Sequence, residues 1–158
     1  MKLPTRFDVL NARSKGFDDH ETGTMPFVSN SFVNNGVVGY ITPLPKEKIF
    51  RNKCICVSAF CEATVQNPPF LPRGNGGSGL TVLVPKEEMD DDELFLYATL
   101  INLQRWRFSF GRMVTGDRLS LMDFPEIPSD WRFSPSRSIA SLLKKTIETS
   151  PLQSHVRR

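Results

Sequence analysis

The sequence predicts an α+β fold: a single globular domain with a mixed or antiparallel sheet, one main helix and a short C-terminal helix. Three observations support this. Short β-rich runs broken by turn residues fill 27–84. One helical pattern follows Asp90, and a second occupies 136–149. The regular strand–helix alternation of a parallel α/β protein is absent.

Taken in order, residues 1–26 are polar and irregular and read as an exposed loop with glycine hinges. F-V-S-N-S-F-V-N-N-G-V-V-G-Y-I-T (27–42) flanks Asn35-Gly36 with two β-rich runs, a hairpin signal. K-C-I-C-V-S-A-F (53–60) and E-A-T-V-Q (62–66) predict two further strands. The stretch N-P-P-F-L-P-R-G-N-G-G-S-G (67–79) predicts a long loop, and L-T-V-L-V (80–84) a buried strand. Asp90 suits a helix N-cap, with Glu93 in the capping-box position. Leu94, Tyr97, Leu100, Ile101 and Gln104 follow at helical spacing, for a helix of about four turns. Residues 123–135 read as a tail of turns. In 136–149, Ile139, Leu142, Leu143 and Ile147 share one face. The domain is therefore drawn at 1–135, with a short helix and tail at 136–158.

At 158 residues the chain suffices for one domain with a real core. Its 39% hydrophobic and 23% charged residues describe a soluble globular protein. No apolar run approaches the ~20 residues of a membrane span, and M-K-L-P-T-R-F-D has no signal-peptide core. Three cysteines, an odd number, fit a reducing cytoplasm better than a disulfide framework. The net charge is +3, but residues 86–93, K-E-E-M-D-D-D-E, carry −5 and leave +8 on the remainder. A basic body with one acidic knob points to a polyanionic partner that meets the body.

Leu103–Leu119 concentrates four arginines and three aromatics around one acid, Asp117. Read as a strand, it sends Trp106, Phe108 and Phe110 to one face and Arg105 and Arg107 to the other. Gly111 ends the pattern, and Arg112 opens a loop running to Gly116. An aromatic face for the core and a basic edge for phosphates and base edges is the expectation. Asn pairs bidentately with adenine and Arg or Lys with guanine. The candidate DNA-binding residues are accordingly Arg13, Lys15, Asn30, Asn34, Arg73, Asn75, Arg105, Arg107 and Arg112. The turn chemistry explains Asn34 equally well.

Other constellations are weaker. Asn67-Pro68-Pro69-Phe70 resembles the N-P-P-F/Y loop of amino-methyltransferases, where the aromatic stacks on a flipped base. The upstream Gly-rich loop that would hold a methyl donor is missing; the run Gly74–Gly79 lies downstream. Asp18, Asp19, His20 and Glu21 are adjacent on one loop and do not make a metal site. Cys54, Cys56 and Cys61 lack suitably spaced histidines for zinc and read as small buried residues. No catalytic residue, metal or cofactor is expected.

Taken together, the segments resemble one target recognition domain of the DNA-specificity (S) subunits of restriction-modification systems, type I and the related enzymes that cut on both sides of their site. Gly23-Thr24-Met25-Pro26-Phe27-Val28-Ser29 resembles the opening G-x-I-P-F/W-V segment. Lys53–Gln66 resembles the middle strand pair, Gly77–Pro85 the strand before the helix, and Phe95-Leu96-Tyr97-Ala98-Thr99-Leu100 the helix's F-L-Y-x-x-L pattern. Gly111–Leu119 resembles the loop before the closing strand, and M-D-F-P-E-I-P (122–128) the L-x-x-I-x-I-P ending. The resemblance implies a non-catalytic, cytoplasmic domain that reads half of a bipartite site in double-stranded DNA. It would position a separate DNA adenine methyltransferase there and, in full complexes, a nuclease. A full S subunit carries two such domains, so a dimerising half subunit and a fragment both remain open. Two alternatives stand beside it: a fragment of an N6-adenine methyltransferase built on Asn67–Phe70, and a protein-interaction module docking through Pro125, Trp131 and the last helix.

Overall fold

Alternation along two neighbouring strands builds the core. In β4 (Cys54–Val57), Ile55 and Val57 face one side of the sheet, and Cys54 and Cys56 face the other. In β7 (Thr81–Pro85), Leu83 and Val82 divide the same way. Both faces are therefore covered. The computed structural model describes residues 1–74, 78–132, 141–142 and 144–146.

The first sheet has the order β1-β7-β4-β5, antiparallel throughout, with β1 at Phe7–Asn11 and β5 at Ala63–Gln66. The second has the order β3-β2-β6. In it β2 (Thr22–Val28) pairs antiparallel with β3 (Val37–Ile41) and parallel with the short β6 (Leu71–Pro72). Helix α1 (Asp91–Asn102) covers one face of the first sheet with Leu94, Tyr97, Leu100 and Ile101. The ring of Phe7 meets Tyr97 edge-on at 4.9 Å. Val28, Phe50 and Phe70 cover the opposite face. Phe27, next to Val28 on β2, points away from them into a third cluster with Ile41 and Leu71.

Asp90 caps α1 as expected, accepting from Glu93 N at 3.0 Å. The Glu93 carboxylate turns to Arg6 and Arg132 instead of completing a capping box. At the other end, Asn102 donates to Ala63 O (3.0 Å) and accepts from Ala63 N (2.8 Å), capping the open edge of β5.

Several expectations are corrected. The segment 105–110 is not a strand. A tight 3-10 turn spans Arg105–Arg107, and Ser109 bridges only to Arg112. Asn102 already occupies the neighbouring sheet edge at Ala63, so no partner strand is on offer there. Of its aromatics only Phe108 packs on the core; Trp106 is 50% and Phe110 93% exposed. The segment 112–119 is not all loop, because Thr115 caps a helix, α2 (Gly116–Leu121), accepting from Arg118 N. Residues 1–26 are not irregular: they hold β1 and most of β2. Asp8 and Asn11 mask the strand signal of β1, and pairing with β7 overrides their poor propensity. The strands β2 and β3 do form a hairpin, joined by Ser29–Gly36 instead of a two-residue turn. Asn34, Asn35 and Gly36 all take left-handed backbone there, with φ of 52°, 53° and 80°. The long loop 67–79 contains β6.

The expected C-terminal helix lies largely outside the described residues. Residues 141–142 and 144–146 are helical, and Leu142 is buried in the main core. The proposed boundary at 135/136 also lies outside them.

Candidate nucleic-acid interface

Strand register assembles the site. Asn11 pairs with Thr81, Thr81 with Val57, and Val57 with Ala63, one continuous row across the first sheet. At that row β1 ends, β7 begins, and β4 turns into β5. Three segments far apart in sequence, 12–15, 58–62 and the described residues of the stretch before β7 (73–74 and 78–80), therefore emerge at one end of one sheet.

Side chains then lock the loops together. Ser14 Oγ donates to Pro72 O (2.5 Å) and accepts from Gly74 N (3.1 Å). The two backbones touch so closely that a Cβ on Gly74 would lie 2.4 Å from the carbonyl carbon of Arg13. Asn30, leaving β2, donates to Ser78 O (2.5 Å) and accepts from Ala59 N (3.1 Å). Val114 N donates to Ala59 O at 2.7 Å, which draws in the chain after Arg112.

The candidate residues fall into distinct situations. Arg13 and Lys15 are exposed, with Arg73 opposite across the Ser14–Arg73 bridge. None of the three forms an ion pair with a described residue. Arg112 is exposed and likewise without an ion pair among them. It lines a cleft of about 390 Å³ with Arg107, Arg118 and Asp123. Arg105 is engaged: it donates to Glu62 Oε1 at 2.7 Å and lies over the Phe32 ring at 5.6 Å. Arg107 donates to Gln104 Oε1 at 3.2 Å and lies 5.9 Å from the Trp106 ring. Asn30 has both ends of its amide committed, and Asn34 donates to Val37 O at 3.1 Å within its turn. Asn75 lies outside the described residues.

Sequence reasoning did not single out Phe32, Arg118, Lys46 or Lys48. The exposed rings of Phe32, Trp106 and Phe110 accompany the arginines, and Phe110 leans on Phe60 at 5.9 Å. Trp106 and Phe110 belong to the aromatic-arginine run, whose alternation assigns its aromatic face to the core; Phe32 lies outside that run.

The competing chemistries find little support in the geometry. Phe70 is 1% exposed and stacked on Phe50 at 5.5 Å, so it cannot stack on a flipped base. No three His, Cys, Asp or Glu among the described residues are grouped to hold a metal. His20 is committed to Gly16 O and Glu47, and Asp19 accepts from Gly16 N. Burial raises the Cys54 and Cys61 thiols to about 12, and that of Cys56 well above its ordinary value. Pro125 is buried, and Trp131 is half-buried against the core.

The class so defined is a two-sheet α+β domain that gathers cation-bearing loops at one sheet end. Among solved structures it has the fold of the HsdS subunit from Thermoanaerobacter tengcongensis, with a TM-score of 0.63 at 15% identity, covering 94% of this chain. The chain spans 38% of that subunit's length. No protein-family model and no curated protein matches the sequence. The likeness agrees, at the level of fold, with the resemblance carried by the sequence segments.

Proposed function

We propose that this chain is a DNA-recognition domain of a restriction-modification specificity subunit. It reads part of a site in duplex DNA and places a separate adenine methyltransferase, with or without a nuclease, upon it. The observation that carries this is the placement of Arg13, Lys15 and Arg73 on loops from one sheet end, with the Arg112 segment tied to that end through Val114 N and Ala59 O, all four without ion pairs among the described residues, in an HsdS-like fold. Unpaired cations cost nothing to redirect toward phosphate, whereas paired ones must first give up a partner. Arg13, Lys15 and Arg73 serve the backbone. Arg112, which closes the tight turn that presents Phe110, is the candidate for base edges. The domain needs no chemistry of its own, and the buried Phe70 speaks against the methyltransferase alternative.

The test is fluorescence anisotropy on duplexes at several salt concentrations, together with identification of what co-purifies from the native cell. A domain touching roughly three to six phosphates gives a log–log salt slope of roughly −3 to −5. An adenine methyltransferase in the purified complex supports the reading. Salt-independent binding, or a micromolar isotherm for S-adenosylmethionine on the chain alone, rejects it.

A further inference from the structure

Beside β1 runs a groove of about 640 Å³, walled by residues 9–15 on one side and 44–48 on the other. Its mouth adjoins the sheet end where the loops collect, because Arg13 and Lys15 belong to both. The far wall contributes Lys46 and Lys48, to which no function has been assigned so far. Neither forms an ion pair with a described residue, and the Lys48 ammonium sits 5.1 Å over the Phe50 ring, placed without being neutralised.

The one acid in the walls, Glu47, is turned inward. Its Oε1 accepts from Lys15 N (3.0 Å), and its Oε2 accepts from Leu44 N (2.9 Å) and stands 2.8 Å from His20 Nε2. Its side chain is 9% exposed. The other His20 nitrogen stands 2.7 Å from Gly16 O. The carboxylate thus ties the two walls together while the four cations keep the opening.

Lys46 adds an independent observation. Leu44–Glu47 is a turn closed by Glu47 N donating to Leu44 O, with Pro45 second and Lys46 third at φ 71°. That third position favours glycine, and a side chain there is held against backbone preference. Strain of this kind gathers where a side chain has work to do.

We infer that this groove seats one sugar–phosphate strand of the duplex whose bases meet the loops at the sheet end, with Lys46 and Lys48 as phosphate contacts. The inference rests on the DNA-recognition reading and deepens it. Phosphate contacts fix position and are blind to sequence, so a mixed-sequence duplex is a sufficient probe.

The experiment compares the full chain with Lys46→Gly, Lys46→Gly/Lys48→Gln and Lys53→Gln, by anisotropy across a salt series and by thermal melting. Lys53 pairs with Asp91 beside the acidic knob and serves as the control. Each groove lysine removed should flatten the log–log slope by about one unit. Lys46→Gly should also melt no lower than the parent, since glycine relaxes the backbone there. Lys53→Gln should leave the slope unchanged. A salt-dependent parent whose slope is retained unchanged by both groove variants overturns the groove and leaves the DNA-recognition reading standing. A parent with no salt-dependent binding overturns both.

Discussion

Arg105 donates to Glu62 Oε1 across 2.7 Å, joining the exit of α1 to the turn between β4 and β5. The carboxylate is the more buried partner, 15% exposed against 51% for the arginine. Arg105 is therefore half withdrawn from any external anion, and Glu62 sets how far. Glu62→Gln should free the guanidinium, tighten binding to all duplexes and steepen the salt slope. Arg105→Ala should cost about 0–1 kcal/mol of stability, as exposed pairs do. Anisotropy and melting of the two variants check this; equal duplex binding by Glu62→Gln and the parent would show that Arg105 faces no DNA.

Arg112→Ala should behave differently from Arg13→Ala. On the proposed reading, once a cognate site has been identified, Arg112→Ala should lose about 1–3 kcal/mol on the cognate duplex and little on a scrambled one. Arg13→Ala should weaken both duplexes alike. Equal losses on both for Arg112→Ala would move it to the backbone-contact group.

Asn30 holds Ser78 and the turn at 58–62 together from a third segment. Asn30→Ala leaves Ala59 N and Ser78 O without their partner, at about 1–3 kcal/mol of stability for a part-buried group. The measurement is urea unfolding. A variant that binds DNA poorly while unfolding like the parent would make Asn30 a DNA contact instead of a clamp.

Acid should loosen the groove walls. Burial works against the charge on Glu47, but hydrogen bonds from Leu44 N, the His20 ring and Lys15 N outweigh it and hold the carboxyl below its ordinary 4.5. A depressed folded value means the stabilisation is complete above the unfolded value and is lost as pH falls through the folded one. The melting temperature should thus decline below about pH 4.5. Glu47→Gln should melt lower at neutral pH and show a shallower acid limb. An unchanged limb would place the acid sensitivity elsewhere.

All three cysteines are buried and free. Thiols raised this far above their ordinary value carry almost no thiolate near pH 8. Iodoacetamide should label none of them in the folded chain and all three in denaturant. Rapid labelling of the native protein would mean that the sheet opens readily.

What the sequence disclosed follows the range of each signal. Asp90 and the 94–101 spacing are local, so α1 was legible to within a turn. The pair β4 and β5 sits close in sequence and was legible too. Strand β1 was not, because Asp8 and Asn11 carry no alternation and its partner β7 lies some seventy residues away. The run 105–110 alternates as a strand should, yet alternation requires a free edge, and Asn102 caps the adjacent strand at Ala63. Residue type marks the basic segments, but only tertiary contacts separate Arg105, engaged by Glu62, from Arg112, which has no ion pair among the described residues. Lys46 and Lys48 escaped notice because P-K-E-K is a short run balanced by an acid. Nothing local tells that Glu47 folds inward onto His20.

The row from Asn11 through Thr81 and Val57 to Ala63 has an evolutionary consequence. Loops that spring from fixed strand ends can lengthen without disturbing the ladder beneath, and each doubling of loop length costs only about 0.6 kcal/mol. The exposed tip at 109–112 is the freest to vary. Gly74 and Asn30 are the least free, since one admits no side chain and the other ties two loops at once. On the proposed reading, a lineage carrying this scaffold can therefore change its target by exchanging tips while keeping the sheet that presents them.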